Sequence, residues 1–168
     1  MKSYNELTKE EKIEYGYPNE EEAKLIQPFI DWSKENVKKF IASEGNCYSE
    51  RLWLGGVIDA VAEMKDGSLA VIDFKSAKSA FPGHFIQTEL YAIQAEENGI
   101  FSSDGKHNKR LDKKIDKLII VPFGSEVVIP EIRNANDWLA GAEAAVILYR
   151  CLGFDERTKE DAERSKIS

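Results

Sequence analysis

The chain has 168 residues, 42% hydrophobic and 32% charged, which suits one domain with a buried core and excludes a disordered chain. No apolar run approaches membrane-spanning length, and the opening MKSYNELTKEEKIEY is too polar for a secretory signal, so cytoplasmic residence is expected. A net charge of −7 argues against a generally cationic nucleic-acid binder. Cys47 and Cys151, without C-x-x-C spacing, argue against zinc and for reduced thiols.

Residues 1–19 read as an irregular or partly helical arm broken at Gly16-Tyr-Pro18. Asn19 followed by Glu22 resembles an N-cap with an acidic first turn, opening a helix from Glu20 to Ser43. Its apolar stripe comprises Leu25, Ile26, Phe29, Ile30, Trp32, Val37, Phe40 and Ile41, and Pro28 kinks it or divides it in two. Gly45-Asn46 ends that helix, and Cys47–Leu54 begins a sheet.

The stretch from Gly55 to Tyr91 carries the chemistry. Val57–Met64 and Leu69–Phe74 are hydrophobic runs rich in β-branched residues, joined by Lys65-Asp66-Gly67 with its Asp-Gly turn signal, and predict a β-hairpin. With those three residues as the loop, Met64 faces Ser68, and counting outward puts Asp59 opposite Asp73, with Lys75 on the same face. Two facing carboxylates repel unless a cation sits between them, which suits a divalent-metal site better than an outer strand face. A connector with Pro82-Gly83 then leads into a helix over His84–Glu97. There Gln87 and Tyr91 share one face directed at the strand ends, beside an apolar stripe of Ile86, Leu90 and Ile93.

Gly99–Asn108 is a turn-rich loop. Lys106–Arg110 with Lys113-Lys114 forms a basic segment that would solvate a loop or grip a strand's phosphates; Lys78, Lys109 and Arg110 are the candidate nucleic-acid contacts. Because screening limits a charge's reach to about 8 Å, this segment can act despite the acidic ends Glu6–Glu22 and Asp155–Glu163. Ile115–Phe123 predicts a buried strand, Glu126–Ile129 a second, and Asn134–Leu152 a helix packed on the sheet and stopped by Gly153, before a charged tail.

Gly56-Val-Ile-Asp59, Val71-Ile-Asp-Phe-Lys75-Ser76 and Gln87-x-x-x-Tyr91, in this order, resemble the PD-(D/E)XK nuclease superfamily in its RecB-like exonuclease branch, with its small phage-encoded and mitochondrial single-stranded-DNA exonucleases. The likeness runs from Glu44 to Tyr91 and more weakly through Val121–Gly124 to Tyr149-Arg150. It implies an α/β, restriction-endonuclease-like core: a central mixed β-sheet flanked by helices. It further implies that Asp59, Asp73 and the Phe74 carbonyl bind Mg²⁺ or Mn²⁺, that Lys75 orients the attacking water, and that Gln87 and Tyr91 support the site or touch the DNA strand.

The chain departs from that pattern by lacking an upstream His or Glu on a helix before the first aspartate; His84 and His107 both lie downstream. Glu44 is the candidate third carboxylate, with Glu22, Glu35 and Glu50 as alternatives. The expected function is a metal-dependent deoxyribonuclease acting on single strands or ends as an exonuclease. The alternative is a catalytically inactive nuclease-fold DNA-binding or assembly subunit, with a protein partner or homo-oligomer supplying further cationic surface. A third reading is a chance motif match in an unrelated α/β domain.

Overall fold

The computed structural model describes residues 20–123 and 130–153. The expected arm, the Asn19 cap, the strand over Glu126–Ile129 and the charged tail lie outside them. Helix α1 (Glu20–Asn36) runs through Pro28 as one helix and lays Phe29 and Trp32 onto one face of a sheet.

Residues 37–43, read from the sequence as the end of that helix, instead open strand β1 (Val37–Ser49). Register shifts between Val37 and Lys39 and between Phe40 and Ala42 explain the difference. They interrupt the two-residue alternation, so Val37, Phe40 and Ile41 fall at helix-like spacing although Val37 and Phe40 pair with Met64 and Ala62 of the neighbouring strand and Ile41 sits at the second shift.

Strands β2 (Leu54–Met64) and β3 (Leu69–Lys75) form the expected hairpin. Met64 N–H donates to the Ser68 carbonyl at 2.8 Å, and Glu63↔Leu69 through Ala60↔Ile72 hold the register read from the sequence. Asp66 secures the turn by accepting the Ser68 N–H at 2.9 Å and pairing with Lys117, while Gly67 takes φ 87°, a conformation costly to a side chain with a Cβ.

Helix α2 (Pro82–Asn98) crosses one face of the sheet and is followed by the short strands β4 (Ile100–Phe101) and β5 (Asn108–Lys109), within the segment read as loop. Strand β6 (Lys117–Pro122) lies parallel to β3, β7 (Glu131–Asn134) is antiparallel to β6, and α3 (Leu139–Cys151) ends where Gly153 turns at φ 67°. Among the described residues the sheet has seven strands in the order β5-β4-β1-β2-β3-β6-β7, mixed because β3–β6 is parallel and the other pairs are antiparallel.

Leu69–Ile72 and Leu118–Val121 are buried on both sides, as central strands covered on two faces require. Val71, Leu118 and Ile120 meet Phe85 and Ala92 of α2, whereas Ile72, Ile119 and Val121 meet Phe29 and Trp32 of α1. α3 was expected against the sheet but packs on α2. Ala142 and Val146 are buried, Leu148 and Tyr149 remain exposed, and Trp138 stacks on Phe85 at 5.2 Å. The α2 face that is buried comprises Phe85, Thr88, Glu89, Ala92 and Ala95; the expected stripe of Ile86, Leu90 and Ile93 is half-buried beside it. Among the described residues no helix is long and apolar enough to cross a membrane.

Candidate active site

The site forms where β3 emerges from the core. Asp73 is only 3% exposed, whereas Lys75, two residues on, reaches partial solvent on the same side. The Lys75 ammonium lies 2.7 Å from Asp73 Oδ2 and donates to Gln87 Oε1 at 2.8 Å. Gln87 Nε2 donates in turn to Tyr91 Oη at 2.8 Å, so the helix face read from the sequence does meet the strand end. A Cβ on Gly56 would stand 2.5 Å from Tyr91 Cε1, so only glycine lets the ring lie against β2.

Burial is the largest influence on Asp73 and raises its pKa; Lys75 lowers it, Asp59 raises it further and His84 lowers it. Asp73 Oδ2 is buried, its charge is met by the Lys75 ammonium 2.7 Å away, and it has no further partner among the described residues. Burial also raises the pKa of Tyr91, partly offset by the hydrogen bond from Gln87. The phenol therefore keeps its proton at neutral pH.

Asp59 holds the next position of the hairpin register. Its Oδ2 accepts the Phe74 N–H at 2.7 Å. Regular alternation would put Ile58 and Ala60 on one face, yet Ile58 packs with the α2-side core and Ala60 with the α1-side core, so β2 turns over around Asp59. The Asp59 carboxylate is near enough to Asp73 to raise its pKa by charge repulsion.

On the α1 side Asp59 lines a cavity of about 480 Å³ together with Glu44, Phe29, Phe40, Ala60 and Phe74. The pairs Ser43↔Ala60 and Gly45↔Ile58 bracket Glu44 and Asp59, so Glu44, Asp59 and Asp73 occupy one row across β1, β2 and β3. Glu44 itself takes φ 49°, a sparsely populated conformation for a non-glycine residue, and its side chain is exposed. Of the alternative carboxylates, Glu22 and Glu35 are exposed on α1 and Glu50 is exposed in the β1–β2 turn.

Among the described residues no three Asp, Glu, His or Cys side chains converge closely enough to form a metal cluster by themselves. Asp59, Asp73 and the Phe74 backbone nevertheless fit a hard divalent ion by donor type. The buried Oδ2 of Asp73, which has no partner but Lys75 among the described residues, is the atom such an ion would meet. Phe74 keeps its ring in the α1-side core, 5.1 Å from Phe29 in an edge-to-face contact, which fixes the strand between the two aspartates.

Lys78 is exposed in the connector after β3, near the site in sequence. Lys109 and Arg110 are not brought there. They line a separate cleft with Leu69, at the other end of β3, and six residues of strand correspond to roughly 20 Å from Lys75. Arg110 also donates to the Glu97 carbonyl at 2.8 Å. His84, which had no assigned role, starts α2, accepts the Phe81 N–H at Nδ1 (3.2 Å) and lies close enough to Asp73 to lower its pKa. Its spacing to Gln87 and Tyr91, three and seven residues, was the available signal. Comparison with models of known protein families gave no match, and comparison with curated proteins gave none either.

Proposed function

We propose that the chain is a metal-dependent deoxyribonuclease that hydrolyses DNA phosphodiester bonds as an exonuclease on single strands or ends, acting in the cytoplasm. The observation that carries this reading is the continuous contact chain Asp73–Lys75–Gln87–Tyr91 at the end of β3, with a buried carboxylate oxygen of Asp73 that Lys75 alone meets among the described residues.

Asp59, Asp73 and the Phe74 carbonyl would hold Mg²⁺ or Mn²⁺. The ion would offset charge on the scissile phosphate and make water a stronger nucleophile at neutral pH. Gln87 fixes the Lys75 side chain by accepting from Nζ, so the ammonium is pre-positioned to donate to a phosphate oxygen and to stabilise the charge that develops there. Tyr91 accepts from Gln87 and keeps its own O–H proton to donate to the strand. Asp59, by holding the Phe74 N–H, orients the backbone between the two aspartates. Lys78, exposed beyond Lys75, is the nearby cation available to an adjacent phosphate.

Release of nucleotides from end-labelled DNA, dependent on Mg²⁺ or Mn²⁺ and lost in Asp73→Ala and Lys75→Ala with folding intact, is the expected result. Unchanged cleavage in both variants would overturn the assignment. DNA association without turnover in either metal would replace it with the non-catalytic subunit.

A further inference from the structure

The basic segment singled out in the sequence is not used by the β3 end, yet it does not simply solvate a loop. It closes a cleft of about 350 Å³ at the opposite end of the β2–β3 hairpin, within the roughly 300–1,000 Å³ range of small-ligand sites. Four cations, Lys39, Lys109, Arg110 and Lys113, line it against two carboxylates, Glu63 and Asp112. Glu63 is shared among Lys38 at 2.8 Å, Lys113 and Lys39, and the four cations against two carboxylates leave the lining with an excess of two positive charges.

Two of the four cations are held by backbone carbonyls, Arg110 on Glu97 and Lys113 on Gly67. Ordering them on a ligand therefore costs less side-chain entropy than ordering free lysines. Between the charges the wall is apolar, made by Ile41, Leu69 and Leu111. Fixed cations beside an aliphatic wall match a ligand with a phosphate at one end and a flat, weakly polar ring at the other.

We propose that this cleft binds a phosphomonoester of the nucleoside monophosphate class, either free or as the phosphorylated end of a nucleic-acid strand. The inference stands on the cleft's own residues and does not rest on the reading of the β3 end.

The test is calorimetric titration of the intact chain with dAMP, inorganic phosphate, deoxyadenosine and a 5′-phosphorylated tetranucleotide. Expected are saturable dAMP binding that inorganic phosphate displaces, at least ten-fold weaker binding of deoxyadenosine, and at least a ten-fold loss of dAMP affinity in the Lys39→Ala/Lys109→Ala variant with an unchanged melting temperature. Tighter binding of the tetranucleotide than of dAMP would identify a strand end as the source; equal or weaker binding would identify the free nucleotide. Wild-type dAMP affinity in the double variant, or equal binding of deoxyadenosine, overturns the proposal. So does loss of dAMP binding in Asp73→Asn, which would move the ligand to the β3 end.

Discussion

Replacing Lys75 by Met removes the cation paired directly with a carboxylate that is almost fully buried. The two side chains are 21% and 4% exposed, so Asp73 has no route to water. Breaking a buried ion pair typically costs about 3–5 kcal/mol because the remaining charge is uncompensated; since Lys75 is partly exposed, the lower end applies, about 3 kcal/mol at pH 8. For a chain of this length that corresponds to a drop in Tm of about 6–12 °C.

The loss should depend on pH. Burial raises the pKa of Asp73, so the folded state holds more protons than the unfolded state between the ordinary carboxylate pKa, about 3.9, and the raised folded value. Within that window stability falls as pH rises. Without Lys75 the folded pKa rises further, because the ammonium that favours the carboxylate is gone. The deficit of Lys75→Met should therefore shrink as pH falls from 8 to 5. Denaturant titrations at both pH values measure it, with Lys75→Met/Asp73→Asn as the control that removes both charges and recovers most of the stability. A deficit of equal size at pH 5 and pH 8 would refute the argument. Adding Mg²⁺ or Mn²⁺ at pH 8 should restore part of the loss in Lys75→Met and none in the double variant, because the ion then supplies the cation that Asp73 lacks.

Gly56→Ala should displace the Tyr91 ring, destabilise the fold by about 1–3 kcal/mol and lower the proposed DNA cleavage through Gln87; thermal melting and the DNA assay read the two effects separately. Glu97 accepts from Ser49 Oγ at 2.5 Å and from the N–H groups of Glu50 and Arg51 at 2.8 and 3.1 Å. At about 0.5–1.5 kcal/mol per bond, Glu97→Ala should cost about 1.5–4.5 kcal/mol in chemical denaturation. The hydrogen bond from Ser49 lowers the Glu97 pKa, so its contribution is present above the ordinary carboxylate range and is lost as pH falls through the depressed folded value. Burial pushes the Cys47 thiol up to about 12, whereas Cys151 is exposed; iodoacetamide at pH 8 should add one label to the native protein and two in denaturant by mass spectrometry.

The hairpin was legible because its determinants are local: an Asp-Gly turn, β-branched runs on both sides and a loop length that leaves one register. That register, with Gln87 and Tyr91 one helical turn apart, is enough to bring Lys75 and the α2 face together. The far half of the first helix was misread because two register shifts in β1 mimic helical spacing, and only pairing with β2 decides that those backbones are extended.

The same limit applies to the carboxylates. Glu44 was named from its position before the first motif, but its place in a row with Asp59 and Asp73 arises from a register linking residues far apart in the chain. The turnover at Asp59 likewise depends on which core, α1-side or α2-side, accepts Ile58 and Ala60. Lys109 and Arg110 read as candidate phosphate contacts in a basic segment after the helix, and the return toward β6 carries them to the opposite end of β3 from Lys75. By itself the sequence determined turn chemistry, the period of each element and which residue types face one another within the hairpin, because these follow from interactions a few bonds or one turn away. Only the tertiary structure decided which face a carboxylate opens to and where the cations gather, because both depend on packing between segments that the chain's order does not bring together.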